Sequence, residues 1–236
     1  MFFLYLGRAI ALVLCVLLLP AHLALSALIR MSDRGPALYR CRRIGCSGSL
    51  FELHKYRTLK ADACHILSSG LRMVVREHDA RVTTLGKLLR CGIDELPQLW
   101  NIVRAEMAWI GPRPDPDWML PHYGPTCRER VSVLPGITGF AQVLDSRFLS
   151  TSEAFALDLW YLRHRTLWLD IFIILATPLY MAGWGSLGRK RLQMLRVLPE
   201  FRELCSACAE ELAGSREFLL RSVEAGSMLP PNTVIC

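Results

Sequence analysis

The sequence predicts an α/β fold, mostly helical with one small β-hairpin, attached to a membrane through an N-terminal hydrophobic helix. Three observations carry this expectation. Residues 9–29 are apolar apart from His22 and Ser26, close to the length a helix needs to cross a bilayer core. Residues 37–44 and 50–59 are strand-like and are joined by Gly45-Cys46-Ser47-Gly48, a turn-forming cluster. Beyond residue 150 the apolar side chains recur at helical spacing. Composition agrees: 52% of the residues are hydrophobic and mean hydropathy is +0.28, more apolar than a typical soluble domain. A chain of 236 residues suits one domain with a short appendage.

The first segment reads as membrane-associated rather than as a cleaved signal peptide. It is long and lacks a clear small-residue cleavage site. Arg8 precedes it, and Arg30, Arg34, Arg40, Arg42 and Arg43 follow, so charge flanks both ends unequally. Pro20 falls mid-run, where it removes a backbone hydrogen bond and kinks the helix. Two topologies follow: a simple span, or a kinked hairpin that enters and leaves the same leaflet.

After the hairpin, residues 62–68 and 84–90 read as short helices, 71–79 is ambiguous, and 118–130 reads as irregular because of Pro121 and Pro125. Ser150-Thr151-Ser152-Glu153 is a capping box before an apolar stripe of Phe155, Leu159 and Leu162. The same helix would carry Asp158, Tyr161 and Arg165 on another face, either solvated or lining a site. Residues 168–184 are apolar except for Asp170, with aromatic residues near both ends. That suits a segment at the membrane interface over 167–184, or a helix packed in the core. Arg189-Lys190-Arg191 would then attract anionic head groups. Residues 196–224 read as one amphipathic helix. The expected layout is a membrane helix over 1–30, a catalytic domain over 31–185 and a helical extension over 186–236.

A formal charge of +7 points to an anionic partner. No nucleic-acid-binding motif stands out, which favours lipid head groups or nucleotides. Nine cysteines without a framework spacing read as reduced thiols facing a cytosol. Cys205 and Cys208 form a lone CxxC, read as an ordinary helical pair rather than a zinc or redox site.

Residues 94–114, DELPQLWNIVRAEMAWIGPRP, carry the densest chemical signal. Asp94 is expected to cap a helix running through Leu99, Trp100 and Val103, with Pro97 tolerated in its first turn. A carboxylate facing a positive helix end is favoured in its ionised form, and an ionised, positioned Asp is a nucleophile or a metal ligand. Capping alone is the bland alternative.

The motifs occur in a definite order: Arg43-Ile44-Gly45, His54-Lys55-Tyr56-Arg57-Thr58, Gly86-Lys87, the DELPQLWN run, Gly111-Pro112-Arg113-Pro114, and Pro135-Gly136-Ile137-Thr138-Gly139-Phe140-Ala141-Gln142. Asp158-Leu159-Trp160-Tyr161 and Leu167-Trp168-Leu169-Asp170 follow. Over residues 5–184 the chain resembles the bacterial sugar transferase family, the monotopic phosphoglycosyl transferases. The resemblance implies transfer of a sugar-1-phosphate from a UDP-sugar to a polyprenyl phosphate, with release of UMP, as the first membrane step of bacterial glycan assembly.

It also implies a re-entrant N-terminal helix, membrane lipids as neighbours, and an active site on the cytoplasmic face of the inner membrane. It leaves homodimerisation open. Asp94 would be the nucleophile, with Glu95 beside it as metal ligand or proton acceptor. Mg²⁺ would be held by Asp94 and Glu95, because attack on a diphosphate meets charge repulsion. Lys55, Arg90 and Arg113 would bind substrate phosphate, and Asp158 and Tyr161 would line the site. Family members usually have Ser-Pro at the membrane break, where this chain has Leu19-Pro20. The linker Cys91-Gly92-Ile93 is one residue shorter than the family pattern, so either Gly92 restores the geometry or Arg90 is not the equivalent residue. Two rival functions use the same features: a membrane-bound nucleotide-diphosphate hydrolase with water as acceptor, and a catalytically silent scaffold of a glycan-assembly complex. All motifs precede residue 186, so the extension is expected to be dispensable for chemistry.

Overall fold

The structure, a computed structural model, describes residues 2–60, 63, 79–144, 149–182 and 186–224. It opens with two helices, α1 (Phe2–Leu17) and α2 (Leu19–Asp33), bent by 60° at the break between them. Pro20 lies in the first turn of α2 rather than mid-helix. Its missing N–H costs little there, because a first-turn N–H has no helical partner. Leu18 N donates to Leu14 O at 2.9 Å and His22 N to Leu18 O at 2.8 Å, so the hydrogen-bond ladder carries on through the bend. Among the described residues no single helix is long and apolar enough to cross a membrane, whereas the bent pair together reaches that length and apolar composition. Polar contacts fasten the pair to the rest of the chain. Arg8 Nε donates to Val103 O at 3.0 Å, Trp109 Nε1 donates to Gly7 O at 2.9 Å, and His22 shares a hydrogen bond with the Tyr56 hydroxyl.

The expected hairpin is present. Strands β1 (Leu38–Ile44) and β2 (Leu50–Tyr56) pair antiparallel, from Leu38 opposite Tyr56 to Ile44 opposite Leu50. The helix expected over 62–68 and most of 71–79 lie outside the described residues. Helix α3 (Thr84–Leu89) is capped by Thr83, whose Oγ1 accepts from Gly86 N at 2.9 Å. Next come α4 (Leu99–Val103) and β3 (Ala108–Ile110). The stretch expected to be irregular holds short helical turns instead: Asp117–His122, then α5 (Pro125–Arg128), then Glu129–Ser132. Pro125 starts α5, the position where proline suits a helix.

Strand β4 (Gly136–Thr138) pairs parallel with β3, Ala108 opposite Gly136 and Ile110 opposite Thr138. A Cβ on Gly136 would sit 2.1 Å from Gly111 N, so only glycine lets the two backbones close. Helices α6 (Phe140–Val143), α7 (Thr151–Arg163), α8 (Leu167–Met181), α9 (Ser186–Leu195) and α10 (Pro199–Glu224) complete the described chain. The capping box before α7 is formed in both directions by Ser150 and Glu153.

The main core joins Phe140, Phe155, Leu157, Leu159, Tyr161 and Ile173 to Leu192, Leu195, Phe201, Leu204, Cys208 and Leu212. Residues past 185 therefore build the same core as the motif-bearing region. The single helix expected over 196–224 is present as α10 and starts at Pro199. Helix α8 buries Ile173 but leaves Leu167, Trp168, Ile174 and Leu175 exposed, so core packing accounts for one of its faces only.

Candidate active site

Asp94 sits in a tight turn between α3 and α4. Arg90 ends α3, and Gly92 follows at φ 111°, a left-handed conformation that suits glycine. A Cβ there would also meet Met181 Cε of α8 at 2.1 Å. The chain then forms a 3-10 turn, Ile93–Gln98, before α4 begins. Asp94 is thus the second residue of a short 3-10 turn and not the cap of a longer α-helix. The dipole of one such turn is small, and Asp94 is only 8% exposed. Burial wins: it pushes the Asp94 carboxyl up from its ordinary value, and the charge of Glu95 adds to this. Lys55, Arg113 and Arg90 oppose the rise. The expectation that a helix end holds Asp94 ionised is replaced by a balance between burial and these three cations.

Glu95 behaves differently. Burial raises its carboxyl, but the charge and hydrogen bond of Arg113, with Lys55, bring it below the usual range. Arg113 Nη2 donates to Glu95 Oε1 at 2.9 Å. The pair raises Arg113 in turn, chiefly through the charge of Glu95. Lys55 is lowered by burial and by the like charge of Arg113, against the pull of Asp94 and Glu95. Asp94, Glu95, Lys55 and Arg113 therefore act on one another as one electrostatic cluster. Arg90 joins through its effect on Asp94, and its Nε donates to Thr58 Oγ1 at 3.3 Å. Gly92, left-handed between Arg90 and Asp94, turns the chain between them.

Three elements bring these groups together. Lys55 is carried near the end of β2, and β2 is held to α4 by Asn101, which is fully buried. Asn101 Nδ2 donates to Glu52 O at 2.7 Å, and its Oδ1 accepts from His54 N at 3.2 Å. Asn101 lies within the 94–114 run, and no motif gives it a role. A polar residue between the buried apolar Leu99 and Ile102 was the available signal.

Arg130 is the other group that went unassigned. It is 4% exposed and binds on four sides. Its Nη2 donates to Arg113 O at 3.1 Å and to Asp158 Oδ2 at 2.8 Å. Its Nη1 bonds Asp115 and donates to the Tyr123 hydroxyl at 3.3 Å. The guanidinium lies 3.6 Å from the centroid of the Phe155 ring. Tyr123 OH donates to Asp115 Oδ2 at 2.5 Å, closing the network. Asp158 thus reaches the Arg113 loop through Arg130. Tyr161 is not in this network: its hydroxyl donates to Asp170 Oδ1 at 2.5 Å. Arg165 lies past the end of α7, so it does not share a helix face with Asp158, and it pairs with the same Asp170 at 3.0 Å.

Among the described residues no group of three or more His, Cys, Asp or Glu side chains could hold a metal. The adjacent carboxylates of Asp94 and Glu95 nevertheless fit Mg²⁺, which commonly binds one or two carboxylates and takes its other ligands from substrate phosphate and water. Asp94 carries a burial cost and repulsion from Glu95 that a divalent cation would relieve.

The profile of the family described as "Bacterial sugar transferase" matches residues 4–183. The chain is 33% identical over 185 residues to a UDP-glucose:undecaprenyl-phosphate glucose-1-phosphate transferase of Xanthomonas campestris pv. campestris, covering 75% of this chain and 38% of that protein. It is 34% identical over 179 residues to a UDP-galactose-lipid carrier transferase of Erwinia amylovora, covering 71% and 37%. It is 34% identical over 180 residues to the exopolysaccharide production protein ExoY of Rhizobium meliloti, covering 71% and 80%. The match thus spans little more than a third of the first two proteins and most of the third. Because the family profile covers the greater part of the sequence and every motif quoted above, the chain belongs to the bacterial sugar transferase family.

Proposed function

We propose that the chain transfers a sugar-1-phosphate from a UDP-sugar to a polyprenyl phosphate and releases UMP, through a phosphosugar ester on Asp94. The observation that carries this is the cluster of two adjacent carboxylates, Asp94 and Glu95, with Lys55 and Arg113 acting on both. An Asp94 carboxylate oxygen attacks the β-phosphorus of the UDP-sugar. The bond from that phosphorus to the bridging oxygen breaks, and UMP leaves with the electron pair. A phosphate oxygen of the polyprenyl phosphate then attacks the same phosphorus, and Asp94 leaves as carboxylate. Arg113 and Lys55 bind the phosphate oxygens on which negative charge gathers. Arg113 is the half-exposed member of its pair, with 52% of its side chain open against 21% for Glu95, which leaves donors free for substrate. Mg²⁺, held by Asp94 and Glu95, would supply charge neutralisation on the diphosphate.

The bent α1–α2 pair and the open face of α8 support a membrane setting. We read the pair as re-entrant, with the active site on the cytoplasmic face of the inner membrane. The names of the relatives point to undecaprenyl phosphate as acceptor and to more than one sugar, glucose and galactose. The product would feed assembly of a bacterial glycan: an exopolysaccharide, a capsule, an O-antigen or a glycoprotein glycan.

The test is UMP release by the purified protein over a panel of UDP-sugars, with and without polyprenyl phosphate, in Mg²⁺ and in excess chelator. The proposal requires one sugar to support lipid product formation, abolished by chelator and restored by Mg²⁺. Release of UMP and free sugar phosphate with no lipid product favours the hydrolase, and absence of nucleotide-sugar binding favours the silent scaffold.

A further inference from the structure

We propose that Glu211, on the C-terminal extension, is a positioning residue for the phosphate-binding Arg113 loop; the proposal rests on the transfer function given above. Glu211 lies on α10, well past the family match that ends at residue 183. Its carboxylate accepts from two backbone amides at the start of α5, Thr126 N and Cys127 N, each at 2.9 Å. Those bonds hold its carboxyl below the usual range, against the opposing effect of burial. The approach is close: a Cβ on Gly124 would sit 2.4 Å from Glu211 Cδ, so the chain keeps glycine where the carboxylate docks. One turn before Glu211, Cys208 is fully buried in the same core cluster as Cys127, itself fully buried.

The segment fixed in this way, residues 123–130, carries at its two ends the groups that hold the Arg113 loop. Tyr123 donates to Asp115 at 2.5 Å, and Arg130 donates to Arg113 O at 3.1 Å and bonds Asp115. Arg128 Nε donates to Tyr123 O at 3.0 Å and ties the two ends together. An unbroken line of hydrogen bonds and one short helix therefore runs from Glu211 to the loop that aims Arg113 at Glu95. The loop's far side is reported by Ile44, whose amide donates to Asp115 O at 2.9 Å. A charged acceptor on two amides is among the stronger hydrogen-bond arrangements, and misplacing a substrate-binding group by a small distance costs rate and affinity.

The experiment compares full-length wild type, Glu211→Gln, Glu211→Ala and Leu204→Ala in detergent. Leu204 is a buried core residue two turns earlier on the same helix, and serves as a control for packing loss. UMP release gives kcat and KM for the UDP-sugar, and amide exchange is followed at Ile44. Glu211→Ala should raise KM about tenfold with a smaller change in kcat. It should also speed exchange at Ile44. Glu211→Gln, which keeps one acceptor oxygen, should fall between it and wild type. Leu204→Ala should lower the melting temperature without either effect. Folded Glu211 variants with wild-type KM and unchanged exchange at Ile44 overturn the proposal, as does a Leu204→Ala variant that reproduces the KM rise. If Glu211→Ala does not fold, the near-isosteric Glu211→Gln decides. If wild type turns over no UDP-sugar, the transfer reading fails, and exchange at Ile44 still decides the role of Glu211.

Discussion

Arg113 and Glu95 meet at 2.9 Å across a separation of 18 residues. As a partly exposed ion pair it adds little to stability. Its consequence is orientation: it aims a guanidinium at the turn that carries Asp94 and keeps Glu95 ionised beside it.

The electrostatic balance around Asp94 predicts a pH profile. Burial raises its carboxyl above the ordinary 3.8. A nucleophile must be deprotonated, so activity should fall on acidification at a pH above the value for a free aspartate. Lys55 opposes the rise, so Lys55→Gln should move the acid limb of single-turnover UMP release to higher pH. Glu95 adds to the rise, so Glu95→Gln should move the residual activity's limb to lower pH. An acid limb that stays in place in both variants contradicts this balance.

Arg130 is buried against Asp158, Asp115 and Phe155, so Arg130→Met should leave the two carboxylates without the cation that neutralises them. The expected cost is about 3–5 kcal/mol in denaturant unfolding. Adding Asp158→Leu to Arg130→Met should recover part of it, because one buried negative charge that Arg130 neutralised is removed. A loss under about 1 kcal/mol in the single variant would show that the network is not the support described.

The hairpin, the helix after the capping box and the bend near Pro20 were legible because each rests on local chemistry. Turn residues, a Ser-x-x-Glu box and a proline act on their immediate neighbours. Asp94 and Glu95 were likewise marked by their motif. Long-range pairing was not legible: nothing near Arg130 in sequence shows that it would bind Asp115, Asp158 and the Arg113 carbonyl. The upward push of burial on the Asp94 carboxyl was not legible for the same reason. Its burial depends on β2 packing against the turn, and the 3-10 turn stands where a longer helix would have supplied a dipole. The role of residues past 185 was hidden because their contribution is packing, which carries no motif.

That packing reverses the expectation that the extension is dispensable. Ending the chain after residue 185 removes Leu192, Leu195, Phe201, Leu204, Cys208 and Leu212 from the core. Losing one such side chain costs about 2–5 kcal/mol against a total stability of about 5–15 kcal/mol. The shortened chain should not fold, as judged by rapid limited proteolysis and loss of cooperative melting. A folded, active truncated chain would show that the α7–α10 packing is not needed.

The bent α1–α2 pair gives a topology prediction. Single cysteines introduced near positions 3 and 34, in a background without competing reactive thiols, should react with an impermeant reagent from the same side of the membrane. Labelling from opposite sides would establish a spanning helix instead of a re-entrant one.

The most direct measurement is the mass of the intact protein after incubation with its UDP-sugar and Mg²⁺ in the absence of acceptor lipid. The account predicts about one equivalent of UMP released and a mass gain of one sugar phosphate, mapped by peptide analysis to Asp94. Asp94→Asn, which keeps the shape of the side chain but is a poor nucleophile, should lose both the burst and the adduct while still melting cooperatively. An adduct on another residue, or normal turnover by Asp94→Asn, would contradict the assignment. UMP release that appears only when polyprenyl phosphate is added, with no adduct, would establish direct transfer in a ternary complex.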